Sequence, residues 1–314
     1  MKAASSRGRA WLQLVRPPNL FTVPGDPLAG FVVACVAAGC VPDLRLAMLP
    51  ALAALCLYVG GLIGNDVADE AEDRRDRPGR PIPSGRISRR EALAASALCV
   101  VLGLLLALAA GRNVLLAALL TQGAILAYNG GLKRHAIAGA LAMGACRGGS
   151  VLIGAAAAGA PTAPFSLTLA IGITLYIAAV TWIADRETES VRLGFRRWLP
   201  LVVLVTLFAP VGGMLLGWLF ALLDHAKVPG TELLTVLFLL GCTAVAWSAR
   251  QAWLLRGTPP PPVVGRSVGA LIRGLLLIQA GFCALGGVPG LAAAAGLLIL
   301  WPVSAAAARR FYAS

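Results

Sequence analysis

Ten stretches of this chain are long and apolar enough to cross a bilayer, and that restricts its fold more than anything else in the sequence. They lie at roughly 20–40, 45–64, 91–110, 113–129, 137–159, 165–184, 198–222, 231–254, 268–286 and 289–307. Most are close to the ~20 residues a helix needs to cross a ~30 Å hydrocarbon layer. Inside that layer the chain must satisfy its own backbone polar groups, which leaves helices or a closed barrel. The alternating ten-residue strands of a barrel are absent, and the recurring Ala, Gly and Leu suit close helix packing in lipid. With 58% hydrophobic and 13% charged residues, the expected fold is all-α: a polytopic bundle of nine to ten spans around a central cavity, one domain over residues 1–314.

The net charge of +13 would suit a nucleic-acid binder, but its placement says otherwise. Alternating the spans from a cytoplasmic N-terminus puts 23 of the 27 Lys and Arg on the cytoplasmic side. Arg45, Arg112 and Lys227 face outward, Arg147 lies within a span, and Arg250, Arg256, Arg266 and Arg273 are counted in one cytoplasmic connection. This is the positive-inside pattern of an integral, multi-pass protein of the cytoplasmic (inner) membrane, whose partner is the bilayer and not nucleic acid. The start, "MKAASSRGRAWLQLV", lacks the cleavage site of a signal peptide, and Arg16-Pro17-Pro18 interrupts it before the first span. The seven cysteines fall in spans with no CxxC, and His135 and His225 are isolated; both sets read as structural.

Charge concentrates in "GNDVADEAEDRRDRPGRPIPSGRIS", Gly64 to Ser88, with six acidic and five basic side chains. Asn65, Asp69 and Asp73 are four apart and share one helical face at the cytoplasmic end of span two, with Asp66 beside them. Like charges so placed repel unless a cation neutralises them, and an oxygen-only ligand set suits Mg²⁺, which takes few protein ligands together with substrate phosphates. The basic tail of Arg74, Arg75, Arg77, Arg80 and Arg86 would hold the remaining phosphate charge. A second acidic group, Asp185, Glu187 and Glu189 in "WIADRETES", ends span six on the same membrane face. An internal duplication would set the two clusters across a shared cavity, as a diphosphate held by several Mg²⁺ ions requires. If the helix continues past Asp185, Glu189 projects with it; if the span stops near Ala184, Glu187 turns inward.

These residues resemble the UbiA superfamily of intramembrane prenyltransferases. Asn65, Asp66, Asp69 and Asp73 match its first signature, NDxxDxxxD, and "DRPGRPIPSGRIS" resembles the segment that follows it. "LVRPPNLFTVPGDPLAG", with Asn19, is similar to the entry to its first helix. "AYNGGLKR" resembles its Tyr-to-Lys motif at Tyr128 and Lys133, next to Arg134, with one residue more between them than is common. "MGACRGG", with Arg147, is similar to the Ebo-type branch. The likeness runs from residue 16 to about 195, and Asp185 followed by Glu189 departs from the usual Asp-x-x-x-Asp.

The resemblance implies Mg²⁺-dependent transfer of a prenyl group from a polyprenyl diphosphate to a small aromatic or other cyclic acceptor, in a site facing the cytoplasm. It makes Asn65, Asp66, Asp69, Asp73, Asp185 and Glu189 the metal ligands, with Asp69, Asp73, Asp185 and Lys133 catalytic. Asn19, Asn65, Arg74, Arg80, Tyr128, Lys133, Arg134 and Arg147 would bind the diphosphate. A carrier that kept the fold, or a membrane cyclase or diphosphate lyase, shares these features; pyrophosphate release with and without acceptors separates them. Ten spans put both termini in the cytoplasm, so a cysteine placed at residue 314 should react only from that side; labelling from outside alone would remove the tenth span.

Overall fold

The computed structural model describes residues 2–187, 190–223 and 231–310; Glu189, His225, Lys227 and residue 314 lie outside them. An amphipathic helix, α1 (Lys2–Val15), leads through a short turn, α2 (Pro17–Leu20), into α3 (Gly25–Ala37). Next come α4 (Met48–Ala68), the polar α5 (Glu70–Asp76), α6 (Arg89–Ala110) and α7 (Arg112–Gly130). They are followed by α8 (Ala136–Ala157), α9 (Pro164–Ala184), α10 (Leu199–Leu223), α11 (Thr231–Leu254), α12 (Pro261–Ala284) and α13 (Gly287–Arg310). Counting α2 with α3, ten segments have the length and apolarity of membrane spans, and the described residues contain no strand.

Local chemistry sets several of the ends. Ser88 caps α6 through a reciprocal bond pair with Glu91, and Pro164 opens α9 at a position where its missing N–H costs nothing. The same tolerance corrects one expected boundary. The sequence reading starts span nine at 268, treating the Pro-rich "GTPPPPVV" as a connection, yet α12 begins at Pro261 behind an extended Pro260. Arg266 and Arg273 therefore ride on the helix and not in the loop before it. Cys40 is also displaced: it lies beyond α3, exposed, with its thiol on the Cys35 carbonyl.

The bundle is built around α12. Its most apolar window is 83% buried, against 17% for α6, whose Leu98 is among the side chains left for lipid. Polar side chains tether neighbours to α12: Tyr176 of α9 donates to the Leu271 carbonyl and Trp247 of α11 to that of Ala270, both at 2.8 Å. Ser304 of α13 donates to the Pro18 carbonyl at 2.8 Å and fixes the last helix against α2.

Beside α12, α3 and α8 touch backbone to backbone. A Cβ on Gly30 would overlap the Val151 carbonyl, and one on Gly154 the Pro27 carbonyl, so neither position admits a side chain without parting the helices. Gly154→Val should lower the thermal midpoint in detergent, at a cost of about 1–3 kcal/mol. Gly123→Ala, in open space on α7, should be neutral or slightly stabilising; equal behaviour of the two variants would refute the close approach.

Candidate active site at the helix ends

The acidic motif occupies a joint between two helices. Asp69 links α4 to α5 with φ −86° and ψ 0°, and helical hydrogen bonds continue across it from Asp69 to Asn65 (2.9 Å) and from Asp73 to Asp69 (2.8 Å). Spacing alone puts Asn65, Asp69 and Asp73 on one face; the structure sorts the four polar residues into two pairs. Lys133 Nζ donates to Asn65 Oδ1 at 2.9 Å and pairs with Asp69, and Asn65 Nδ2 donates to Asp69 Oδ2 at 2.9 Å. Arg80 Nη1 donates to Asp73 Oδ2 at 2.8 Å and lies 3.7 Å from Asp66 Oδ1, which also accepts from Arg16 at 2.9 Å. Asp66 and Asp73, both buried, are two turns apart and stack on one side. The chain's own cations thus meet the repulsion that the spacing creates.

Each cation has a local reason for its place. Arg16 precedes two prolines, which disfavour a right-handed helical conformation there, and it turns at φ 48°, ψ 67°. Such a left-handed residue costs roughly 1–2 kcal/mol, which the Asp66 bond offsets. Gly131 at φ 150° ends α7, and the next turn, Leu132–Arg134, aims Lys133 inward and leaves Arg134 exposed. Arg80 sits in a loop folded by Arg86, which bonds the Gly79 carbonyl (2.6 Å), Ser84 (3.0 Å) and Gln13 of α1 (2.9 Å). Arg74 pairs with Glu70 at 2.8 Å on the solvent side, and with Arg89 it holds the Glu70 carboxyl below the usual range. Arg74, Arg86 and Arg134 therefore stand apart from the cluster, although the sequence reading grouped them with it.

At the second acidic group α9 stops at Ala184, and Asp185 to Glu187 form a turn closed by the Glu187 N–H on the Ala184 carbonyl at 2.9 Å. Asp185, Arg186 and Glu187 are a turn and not a continuation of the α-helix, and Glu189 lies outside the described residues. Asp185 is half-exposed, 3.6 Å from Arg186, and its charge reaches Tyr128. Glu187 turns inward, its carboxylate against Gly265 of α12. Burial pushes this carboxyl up in pKa, while Arg77, Arg16 and Arg80 pull it down. Glu187 thus sits in the field of the cations that hold Asp66 and Asp73.

A cavity of about 100 Å³ lies beneath, with Arg16, Asn65 and Tyr128 at its polar mouth and Tyr58, Arg147 and Ser150 among apolar side chains deeper down. That is several times the space one water needs. Arg147 Nε is 2.6 Å from Asp26 Oδ2, and its Nη2 donates to the Thr22 carbonyl at 2.9 Å. Gln279 of α12 donates to Asp26 Oδ1 at 2.6 Å and to Thr22 at 2.8 Å. Arg147 also lies 5.8 Å above the Tyr58 ring, and the Asn19 side chain is close to the Tyr58 hydroxyl. Arg147 therefore lines the cavity and ties α8 to Asp26 of α3, which Gln279 ties in turn to α12. The sequence reading passed over Asp26, although an acid inside an apolar span calls for a partner. It passed over Arg16 as a helix breaker.

Whether these residues suit the Mg²⁺ that the family resemblance implies is settled by donor chemistry. Among the described residues no three Asp, Glu, His or Cys converge into a ready-made cage. One guanidinium nitrogen within ion-pair range of both Asp66 and Asp73 shows two carboxylates facing a common point, with Asn65 and Asp69 alongside. One or two carboxylates with substrate phosphates is the Mg²⁺ arrangement, and the residues fit it.

Removing one member of the Asp26–Arg147 pair strands a buried charge, at about 3–5 kcal/mol. Arg147→Met should therefore lower the thermal midpoint sharply, and adding Asp26→Leu should restore part of the loss; additive losses would refute the pairing.

The sequence profile of the UbiA prenyltransferase family matches residues 27–262. A digeranylgeranylglyceryl phosphate synthase of Methanothrix thermoacetophila is 31% identical over 179 residues, 57% of this chain and 64% of the relative. One of Methanoculleus marisnigri is 32% identical over 195 residues, 62% of this chain and 68% of the relative. The chain thus spans about two thirds of the length of these relatives. Among solved structures, a digeranylgeranylglyceryl phosphate synthase superposes with a TM-score of 0.58 at 19% identity, covering 91% of this chain and 99% of the other. A UbiA homologue of Archaeoglobus fulgidus bound to GPP and Mg²⁺ gives 0.51 at 18% identity, covering 86% and 99%. Both are likenesses of fold. With most of its length inside the profile, and ten apolar helices in the same arrangement, this integral, multi-pass chain belongs to the UbiA prenyltransferase family.

Proposed function

We propose that the protein moves a prenyl group from a prenyl diphosphate to the free hydroxyl of a prenylated glycerol phosphate, with Mg²⁺, at the cytoplasmic boundary of the inner membrane. The supporting observation is a ring of three carboxylates and three cations at the mouth of an apolar cavity. That combination suits both halves of a prenyl diphosphate, whose tail needs hydrocarbon and whose head needs cations. The relatives are named for a glyceryl phosphate carrying two geranylgeranyl groups, which favours a glycerol phosphate acceptor over the cyclic one expected from sequence. The excess of Lys and Arg on one set of loops supports the cytoplasmic orientation.

Asn65, Asp66, Asp69 and Asp73 would hold Mg²⁺ together with Asp185 and either Glu187 or Glu189. Mg²⁺, when bound, supplies charge for the departing diphosphate. Arg16, Arg80 and Lys133, released from those carboxylates, take phosphate oxygens, with Tyr128 and Asn19 at the rim. The allylic carbon–oxygen bond breaks with both electrons going to the diphosphate. The acceptor hydroxyl oxygen then bonds to that carbon and gives its proton to a carboxylate or water. The apolar walls below the cations keep water from the allylic cation in between.

Pyrophosphate release across a Mg²⁺ titration tests this reading. Asp69→Asn should lower kcat by about 10²–10³ and abolish Mg²⁺-dependent diphosphate binding; retained affinity would make the acidic face a solvated surface. Among Asp185→Ala, Glu187→Gln and Glu189→Ala, losses at the first two with a near-normal third would assign Glu187, and a normal Glu187 variant would return the role to Glu189.

A further inference from the structure

Arg273 is a cation in the middle of a span, and among the described residues it makes no hydrogen bond, ion pair or ring contact. It lies twelve residues from the start of α12 at Pro261, roughly 18 Å along the axis. A charge that deep is expensive unless it is paired or reaches water, and such residues mark binding sites.

The surroundings of α12 show where the charge points. From Gly274 to Ala284 every residue is buried. Towards the cytoplasmic end one face stays partly open, at Pro262, Gly265, Arg266, Gly269 and Arg273, a helical spacing that sets them along one side of the helix with Arg273 deepest in the span. Glycine at 265 and 269 leaves that face without side chains of its own at those two positions. At its upper end, beside Gly265, stands the Glu187 carboxylate, in the field of Arg16, Arg77 and Arg80. The guanidinium folds back up the helix, with Nη1 3.7 Å from where a Cβ of Gly269 would be. The partly open face therefore runs from beside Glu187 to an arginine whose donors meet no partner among the described residues.

Resting on the proposed prenyl transfer, we infer that Arg273 anchors the phosphate monoester of the lipid-linked acceptor. Glycerol offers three oxygens, so in a singly prenylated glycerol phosphate the free hydroxyl is at most two carbons from the phosphate-bearing one. Holding the phosphate on α12 fixes that hydroxyl within a short reach, below the donor's diphosphate. The arginine fork suits a phosphate, which a bilayer would not otherwise carry to this depth.

The test is a comparison of Michaelis constants. In Arg273→Gln the KM for geranylgeranylglyceryl phosphate should rise at least about tenfold, the loss of one charged hydrogen bond, while that for geranylgeranyl diphosphate moves less than about twofold. Arg273→Lys, which keeps the charge and protects against misfolding, should give an intermediate acceptor KM. An unchanged acceptor KM, or an equal rise for the donor, overturns the assignment. A second readout separates it from the proposed activity. The acceptor, but not its dephosphorylated alcohol, should raise the wild-type thermal midpoint in detergent, and Arg273→Gln should lose that shift even if the wild type forms no product. Stabilisation by phosphatidylglycerol vesicles equal to that by the acceptor, lost in the same variant, would make this a lipid headgroup site and refute the acceptor role.

Discussion

The buried charges of this bundle, Asp26, Asp66, Asp73 and Arg147, all come in company, because an unpaired ion out of water is expensive. Asp26 is admitted to the first span because Arg147 and Gln279 meet it from two other helices. Asp66 and Asp73 are buried because Arg16 and Arg80 come back to them. The polar contacts that close α3, α8 and α12 around the cavity follow from this rule, and so does the charged mouth above it.

The balance at the mouth also explains how so acidic a motif folds against an apolar bundle. Arg16, Arg80 and Lys133 stand against Asp66, Asp69 and Asp73, so the charges of these six side chains cancel. Diphosphate and divalent cation would enter together as another nearly neutral set. Exchanging one set of partners for the other spares the bundle a state with a large net charge in a low dielectric.

Much of the fold is legible in the sequence, because length and apolarity alone decide whether a helix can cross a bilayer. The misread start of α12 has a specific cause: prolines that forbid a helix interior are welcome in a first turn, and the arginines behind them lowered the apparent hydropathy. The acidic residues of the site were legible from their spacing. Their partners were not, since Arg16 and Lys133 lie 50 and 64 residues from Asp66 and Asp69 and no periodicity links them. The regrouping into two pairs depends on the joint at Asp69, which no residue type announces. Arg134 and Lys133 look alike in sequence; the turn after Gly131 separates their fates.

The bond from Ser304 to the Pro18 carbonyl joins the last described helix to the turn that begins the first span. Two residues before Pro18 is Arg16, strained in backbone and bonded to Asp66. Both ends of this brace fall outside residues 27–262, the part that matches the family profile. The acidic motif is thus steadied by a buttress the profile does not describe, so change in the final helix has a short mechanical route to the acidic cluster. Divergence among relatives in their last span could tune the mouth of the site while every motif residue stayed the same.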